Sequence, residues 1–207
     1  MLDLFKKHLK SNPLIYLIVI LSFLVGVSVG AFTLKIIDNQ QKENLFYYLK
    51  DFFQLLNYDN IDSFIILRQS LTNNIQLLSL NWIFGALIIT APLAISIIAF
   101  KGFVIGFTVA LLIEKFNILG ILIFIFAILP QNIILIPVFI ITTVTSLSFL
   151  KSFLLEKTQE FKTRGLPKKY FAYTLIFVFM LIFIICACLI ESYISPIFIK
   201  ILSKNII

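Results

Sequence analysis

Charge is what this sequence has least of. Only 13% of its 207 residues are Asp, Glu, Lys or Arg, against roughly 25% in a soluble domain. Hydrophobic residues make up 60%, with 23 Phe among them. That balance excludes a soluble globule and makes the chain an integral membrane protein. Histidine occurs once, at His8, on a lysine-rich arm, so no HExxH or two-histidine metal site can be built. Cys186 and Cys188 stand two apart on an expected helix, which turns them to different sides and argues against a disulfide or a metal pair. The spacing G-x-S-x-G occurs once, at Gly26-Val27-Ser28-Val29-Gly30, but within the long apolar run 14–34 rather than at a strand-to-helix elbow, and G-x-x-x-x-G-K phosphate loops are missing. A membrane-embedded serine protease would still need a base. These absences predict a chain that is not an enzyme and needs no cofactor. The net charge of +7 sits in short juxtamembrane loops rather than on a folded basic face, which argues against nucleic acid as a partner.

What is present is a series of apolar runs. At about 20 residues per crossing, the chain suits one membrane domain over 1–207 without room for a second. Residues 14–34 follow Lys6, Lys7 and Lys10 and are too long for a cleaved signal core, with no A-x-A site behind them; they read as an uncleaved first span. Residues 77–100, containing Pro92, form the second. The runs 102–113 and 118–129 flank Glu114-Lys115-Phe116-Asn117. Each rises only about 18 Å as a helix, so 102–129 is expected to be one discontinuous crossing or a re-entrant pair. Residues 133–150 and 172–190 complete five crossings. The expected fold is an all-α polytopic helix bundle with an amphipathic helical outer loop.

Lysine and arginine set the orientation. The arm with Lys6, Lys7 and Lys10 and the loop 151–171, with six basic residues against Glu156 and Glu160, belong in the cytoplasm. That loop also offers a surface to anionic membrane lipid, although orientation alone accounts for it. The loop 35–76 carries four basic and five acidic residues, 4 − 5 = −1, and belongs outside, as does the C-terminus. Within it Leu45, Leu49, Phe52, Phe53 and Leu56 recur at helical spacing, giving an amphipathic helix that packs on the leaflet or bundle, or docks a partner. A second helix is expected behind a cap at Asp62, with Ile65, Leu71, Ile75 and Leu78 on its apolar side.

The least lipid-like stretch is Leu129-Pro130-Gln131-Asn132 through Pro137-Val138-Phe139. Two prolines and two amides in an apolar run predict a buried, non-helical joint. Small residues recur every four positions at Ser22, Gly26 and Gly30 and at Gly102 and Gly106, a pattern that lets backbones approach in lipid. Contacts within one bundle are the preferred use, and a homo-oligomer is the other. Glu191, closing the last span beside Tyr193, is a candidate by default as a carboxylate at membrane depth. The plainer reading of both Glu114 and Glu191 is a residue at a helix end or loop.

Four stretches together carry a resemblance: Leu80-Asn81-Trp82-Ile83-Phe84-Gly85, Phe100-Lys101-Gly102-Phe103-Val104-Ile105-Gly106-Phe107-Thr108, the proline-bracketed joint, and Glu191-Ser192-Tyr193-Ile194-Ser195-Pro196. With the Phe5-Lys6-Lys7-His8 arm, they make the chain resemble the stage II sporulation protein M family over nearly its whole length. The joint is the most specific element. The resemblance implies a non-catalytic, multi-pass scaffold in the cell membrane at the sporulation septum, working with cell-wall hydrolases, stage II sporulation proteins D and P, in septal thinning and engulfment. A rival from the residues alone is a small-solute permease, with Gln131, Asn132, Glu114 and Lys101 lining a path through discontinuous helices.

Overall fold

Hydrocarbon offers no hydrogen bonds, so a chain this apolar satisfies its backbone by folding into helices. The computed structural model describes residues 12–58, 62–157 and 166–203; the lysine arm, Lys162 and Arg164 lie outside the described residues. The elements are α1 (Pro13–Ile36), α2 (Asn39–Tyr58), α3 (Ser63–Ala86), a 3₁₀ segment (Ile88–Leu93), α4 (Ala94–Phe116), α5 (Ile118–Ile123), α6 (Leu129–Lys157), α7 (Leu166–Leu189) and α8 (Ser195–Ser203). Short π turns, Phe124–Ile128 and Ile190–Ile194, carry α5 into α6 and α7 into α8. Four helical stretches are long and apolar enough to cross a membrane: Pro13–Ile36, Ile89–Phe116, Ile118–Leu154 and Lys168–Leu202. The protein is an all-α polytopic membrane bundle.

Glycine decides which helices touch. Gly26 and Gly30 of α1 lie against the backbone of Ala99 and Phe103, and Gly102 and Gly106 of α4 against that of Phe23 and Val27. A Cβ at any of the four would fall on a carbonyl oxygen of the other helix. The paired numbers rise together, so α1 and α4 run parallel. The small-residue repeats are therefore consumed inside one chain, in the close approach that small-xxx-small spacing permits.

Two parallel helices need a return path between them, and α3 supplies it. Asp62 caps α3, its carboxylate accepting from the Phe64 N–H at 3.0 Å. Along α7 the contacts Ser70–Glu191, Asn74–Cys188 and Trp82–Thr174 run in opposite directions, so α3 lies antiparallel to α7 at the depth of the spans. Its 24 residues rise about 36 Å, enough to cross. Three expectations change accordingly. The second amphipathic helix of the outer loop and the start of the 77–100 span are one helix, α3, because its polar residues find partners inside the bundle. Residues 77–100 are broken by the 3₁₀ segment at Pro92. Residues 102–129 are not one crossing: the chain reverses at Asn117, whose φ of 51° is the only positive value at a non-glycine residue among those described, and Gly120 returns against the Leu112 carbonyl. Four stretches qualify as spans by length and composition, and α3 is long enough to be a fifth.

The proline-bracketed stretch is also corrected: Leu129 to Phe139 is helical. Proline still leaves its mark, because each π turn ends two residues before one, Pro130 or Pro196. Side chains reach carbonyls of the first of these turns: Ser195 Oγ donates to Ala127 O at 2.5 Å and Asn132 Nδ2 to Ile128 O at 2.8 Å. Backbone groups beside Pro130 thus find partners in protein, as irregular backbone in hydrocarbon requires. Pro137 sits inside α6.

Replacing Gly106 with alanine is expected to destabilise the fold by about 1–3 kcal/mol through overpacking against Val27, read as a lower unfolding midpoint in detergent. Val25→Ala, on the exposed side of α1, should change the midpoint little. Equal midpoints for Gly106→Ala and the native chain would refute the close backbone contact.

Candidate functional site

Two polar networks occupy the bundle, and both depend on the spacing of residues along α3. Ser70, Asn74, Leu78, Asn81 and Gly85 are its buried positions, four or three apart and so on one face. At one end of this face Asn81, fully buried, donates from Nδ2 to Thr142 Oγ1 at 3.0 Å and Thr143 Oγ1 at 3.1 Å on α6. Ser146 Oγ lies 3.2 Å from Asn81 O and 3.1 Å from Tyr173 Oη. Tyr173 Oη donates to Trp82 O at 2.8 Å, and Tyr170 Oη to Ala86 O at 3.1 Å. Every hydroxyl here ties one helix to another, which suits a structural clamp.

The second network carries charge. Lys101 Nζ on α4 donates to Asn74 Oδ1 at 2.6 Å and stands 4.8 Å from the centre of the Phe139 ring. Asn74 Nδ2 donates to Ser70 O at 3.0 Å and lies 3.4 Å from Ser70 Oγ, and Ser70 Oγ donates to Glu191 Oε2. An ammonium and a carboxylate are therefore joined through an amide and a hydroxyl. In a medium of low polarity each charge needs the other, and neutral dipoles aligned between them lower the cost of the separation. The pair opens onto a cavity of about 570 Å³, lined by Ser70, Asn74, Lys101, Gln131, Asn132 and Glu191. Gln131 Oε1 is buried there without a hydrogen-bond partner. Donor, acceptor and both signs of charge together can bind a polar group.

Among the residues expected from sequence, Gln131, Asn132 and Glu191 meet at this cavity, with Lys101. Glu191 is drawn inward by Ser70 instead of sitting at a free helix end, and Tyr193 is half-exposed. Glu114 does sit at a helix end, paired with Lys42 of α2 at 3.0 Å, while Lys115 lies 4.8 Å from the Phe46 ring. These contacts lay α2 across one end of the bundle. Leu49 packs with Leu112, Ile123, Ala127 and Ile199, and Leu45 is half-buried. The side chains of Phe52, Phe53 and Leu56 lie outside the described residues. Pro130 and Pro137 line no site; they shape α6. Ser70 and Asn74 were not anticipated. Their four-residue spacing ahead of Leu78 and Asn81 was the available signal.

Lys101→Met is expected to destabilise the chain by about 2–3 kcal/mol, because the Glu191 carboxylate would remain in the bundle without a cation. Adding Glu191→Gln should recover most of that loss. Additive thermal shifts in the double variant would show that the two charges do not interact.

The model of the stage II sporulation protein M family matches residues 19–196, from within α1 to the turn that opens α8. No curated protein and no solved structure matches the chain. With the match covering most of the sequence and all the helices that build the cavity, the chain belongs to the stage II sporulation protein M family.

Proposed function

We propose that this sporulation membrane protein is a non-catalytic scaffold that anchors cell-wall hydrolases, of the stage II sporulation protein D and P kinds, at the septal or engulfing membrane. The observation that carries the reading is α2. Held over the bundle by Lys42–Glu114 and Phe46–Lys115, it presents Tyr47 and Tyr48, 65% and 70% exposed, away from the core. Exposed aromatic pairs on a fixed helix are efficient contact points for a protein partner. Family membership supplies the biological setting.

Orientation follows from charge. In sequence the lysine arm precedes α1 and the basic 151–171 loop follows α6, and positive residues favour the cytoplasm. With α1 and α4 parallel and a reversal at Asn117, α2 and the C-terminal helix then lie outside. A hydrolase acting on the wall would meet the chain on that side.

Detergent extracts of sporulating cells test this. The native chain should bring down a hydrolase, and Tyr47→Ala/Tyr48→Ala should lower its recovery about tenfold with membrane insertion unchanged. Recovery of neither hydrolase with the native chain, under confirmed expression, would sink the scaffold reading.

A second reading rests on the cavity, whose polar lining between helices suits a small-solute path. It requires solute flux in proteoliposomes that Gln131→Leu abolishes. Proteoliposomes of the native chain that are no leakier than empty vesicles would remove it.

A further inference from the structure

The outward face of α3 has the wrong chemistry for lipid. Gln69, Thr72, Asn73 and Gln76 are all exposed and follow one another at i, i+3, i+4 and i+7, so they form one stripe. The stripe lies between six and 13 residues into the 24-residue helix, about 9–20 Å from its end and hence near the middle of a crossing. Apolar side chains continue the same face at both ends, Ile65 on one side and Leu80 and Ile83 on the other, each exposed. Among the described residues Thr72 Oγ1 turns back to Arg68 O at 2.8 Å, and the amides make one bond along the stripe, Gln69 Nε2 to Asn73 Oδ1, a loose 3.3 Å. The side chain of Gln76 has no hydrogen bond among the described residues. Polar amides left in hydrocarbon at this depth are costly, and they are met in membranes by pairing across helices.

We propose that this face of α3 is the interface between two copies of this chain, paired about a two-fold axis along the membrane normal. Three features select a second copy over another occupant. An amide carries both donor and acceptor, so Asn73 and Gln76 complement themselves across a two-fold axis. Copies inserted with one orientation bring their α3 helices together parallel and at equal depth, which aligns amide with amide. The four stripe side chains are uncharged and ask for no oppositely charged partner, the exposed Arg68 lying beside them at the edge of the face. Shape agrees with this. Two concavities border the stripe and are lined in part by it, one of about 380 Å³ with Leu67, Arg68, Leu71, Thr72, Ile75 and Gln76, the second the 570 Å³ cavity with Asn73 and Gln76. Each copy thus offers recesses beside the amides into which side chains of the other can fit. The glycine faces of α1 and α4, the other candidates for self-association, are already filled by each other.

Cross-linking in native membranes tests the interface. The background carries Cys186→Ala and keeps Cys188, which is fully buried. Ile65→Cys lies on the proposed face at its outer end, and Phe32→Cys, on α1, is a control of matching exposure, 61% against 63%. A short thiol cross-linker should join Ile65→Cys chains to one another and leave Phe32→Cys chains single. Gln69→Leu/Asn73→Leu/Gln76→Leu should reduce the Ile65→Cys adduct about tenfold or more, since it replaces the amide pairing with side chains that lipid solvates equally well. Continued protection of Cys188 from maleimide would show that the triple variant is folded. The proposal is overturned if Ile65→Cys reacts with maleimide yet gives no self-adduct, if its adduct is to a different protein, if Phe32→Cys gives as much adduct, or if the folded triple variant cross-links undiminished.

Discussion

Where the carbonyl oxygens of α1 meet the glycines of α4, two backbones run side by side in the same direction with no side chain between them. Parallel neighbours separated in sequence by α2 and α3 require the chain to run back between them. The helix that does so is α3, although it is less apolar than the four stretches that qualify as spans by composition. From that one contact the alternation of the later helices follows: α4 runs with α1, α6 returns after Asn117, and α7 runs out again.

Packing α3 among the apolar helices brings its polar residues into the bundle, and most of the bundle's chemistry deals with them. The inner face is answered by Thr142, Thr143, Ser146 and Tyr173 at one level and by Lys101 and Glu191 at another. Such networks are worth little individually in lipid, but an unsatisfied group is expensive, so they fix which helix packs where more than how tightly. The same logic covers the prolines. Pro130 and Pro196 each follow a π turn, and in the first of them Ile128 O and Ala127 O accept from Asn132 and Ser195. The two turns face one another through the Ser195–Ala127 bond, so the irregular parts of two helices stabilise a single region.

These constraints suit a part that holds other proteins. The bundle is tied at both levels of α3 and capped by α2, leaving a fixed platform with aromatic side chains on its outer surface. A polar cavity inside such a platform serves equally as a stabilising seam between helices. The charged pair bordering it is internally compensated, as a structural element requires.

The membrane class and the all-helical fold follow from composition alone, because 60% hydrophobic residues cannot be hidden in a soluble core and only helices or barrels satisfy a backbone in lipid. Glycine spacing at 26, 30, 102 and 106 likewise announced close packing. Its partner was not legible, since the motif says that a backbone can approach but not which one. Hydropathy misplaced the boundaries for a related reason: it counts Ser70, Asn74 and Asn81 as costs, while their bonds to Glu191, Lys101 and Thr142 exist only once distant helices are assembled. Leu129 to Phe139 read as a break because proline removes a donor wherever it stands. The helix in fact continues, with a carbonyl of the turn before Pro130 accepting from a hydroxyl 68 residues away, a partner that only the tertiary structure brings into reach.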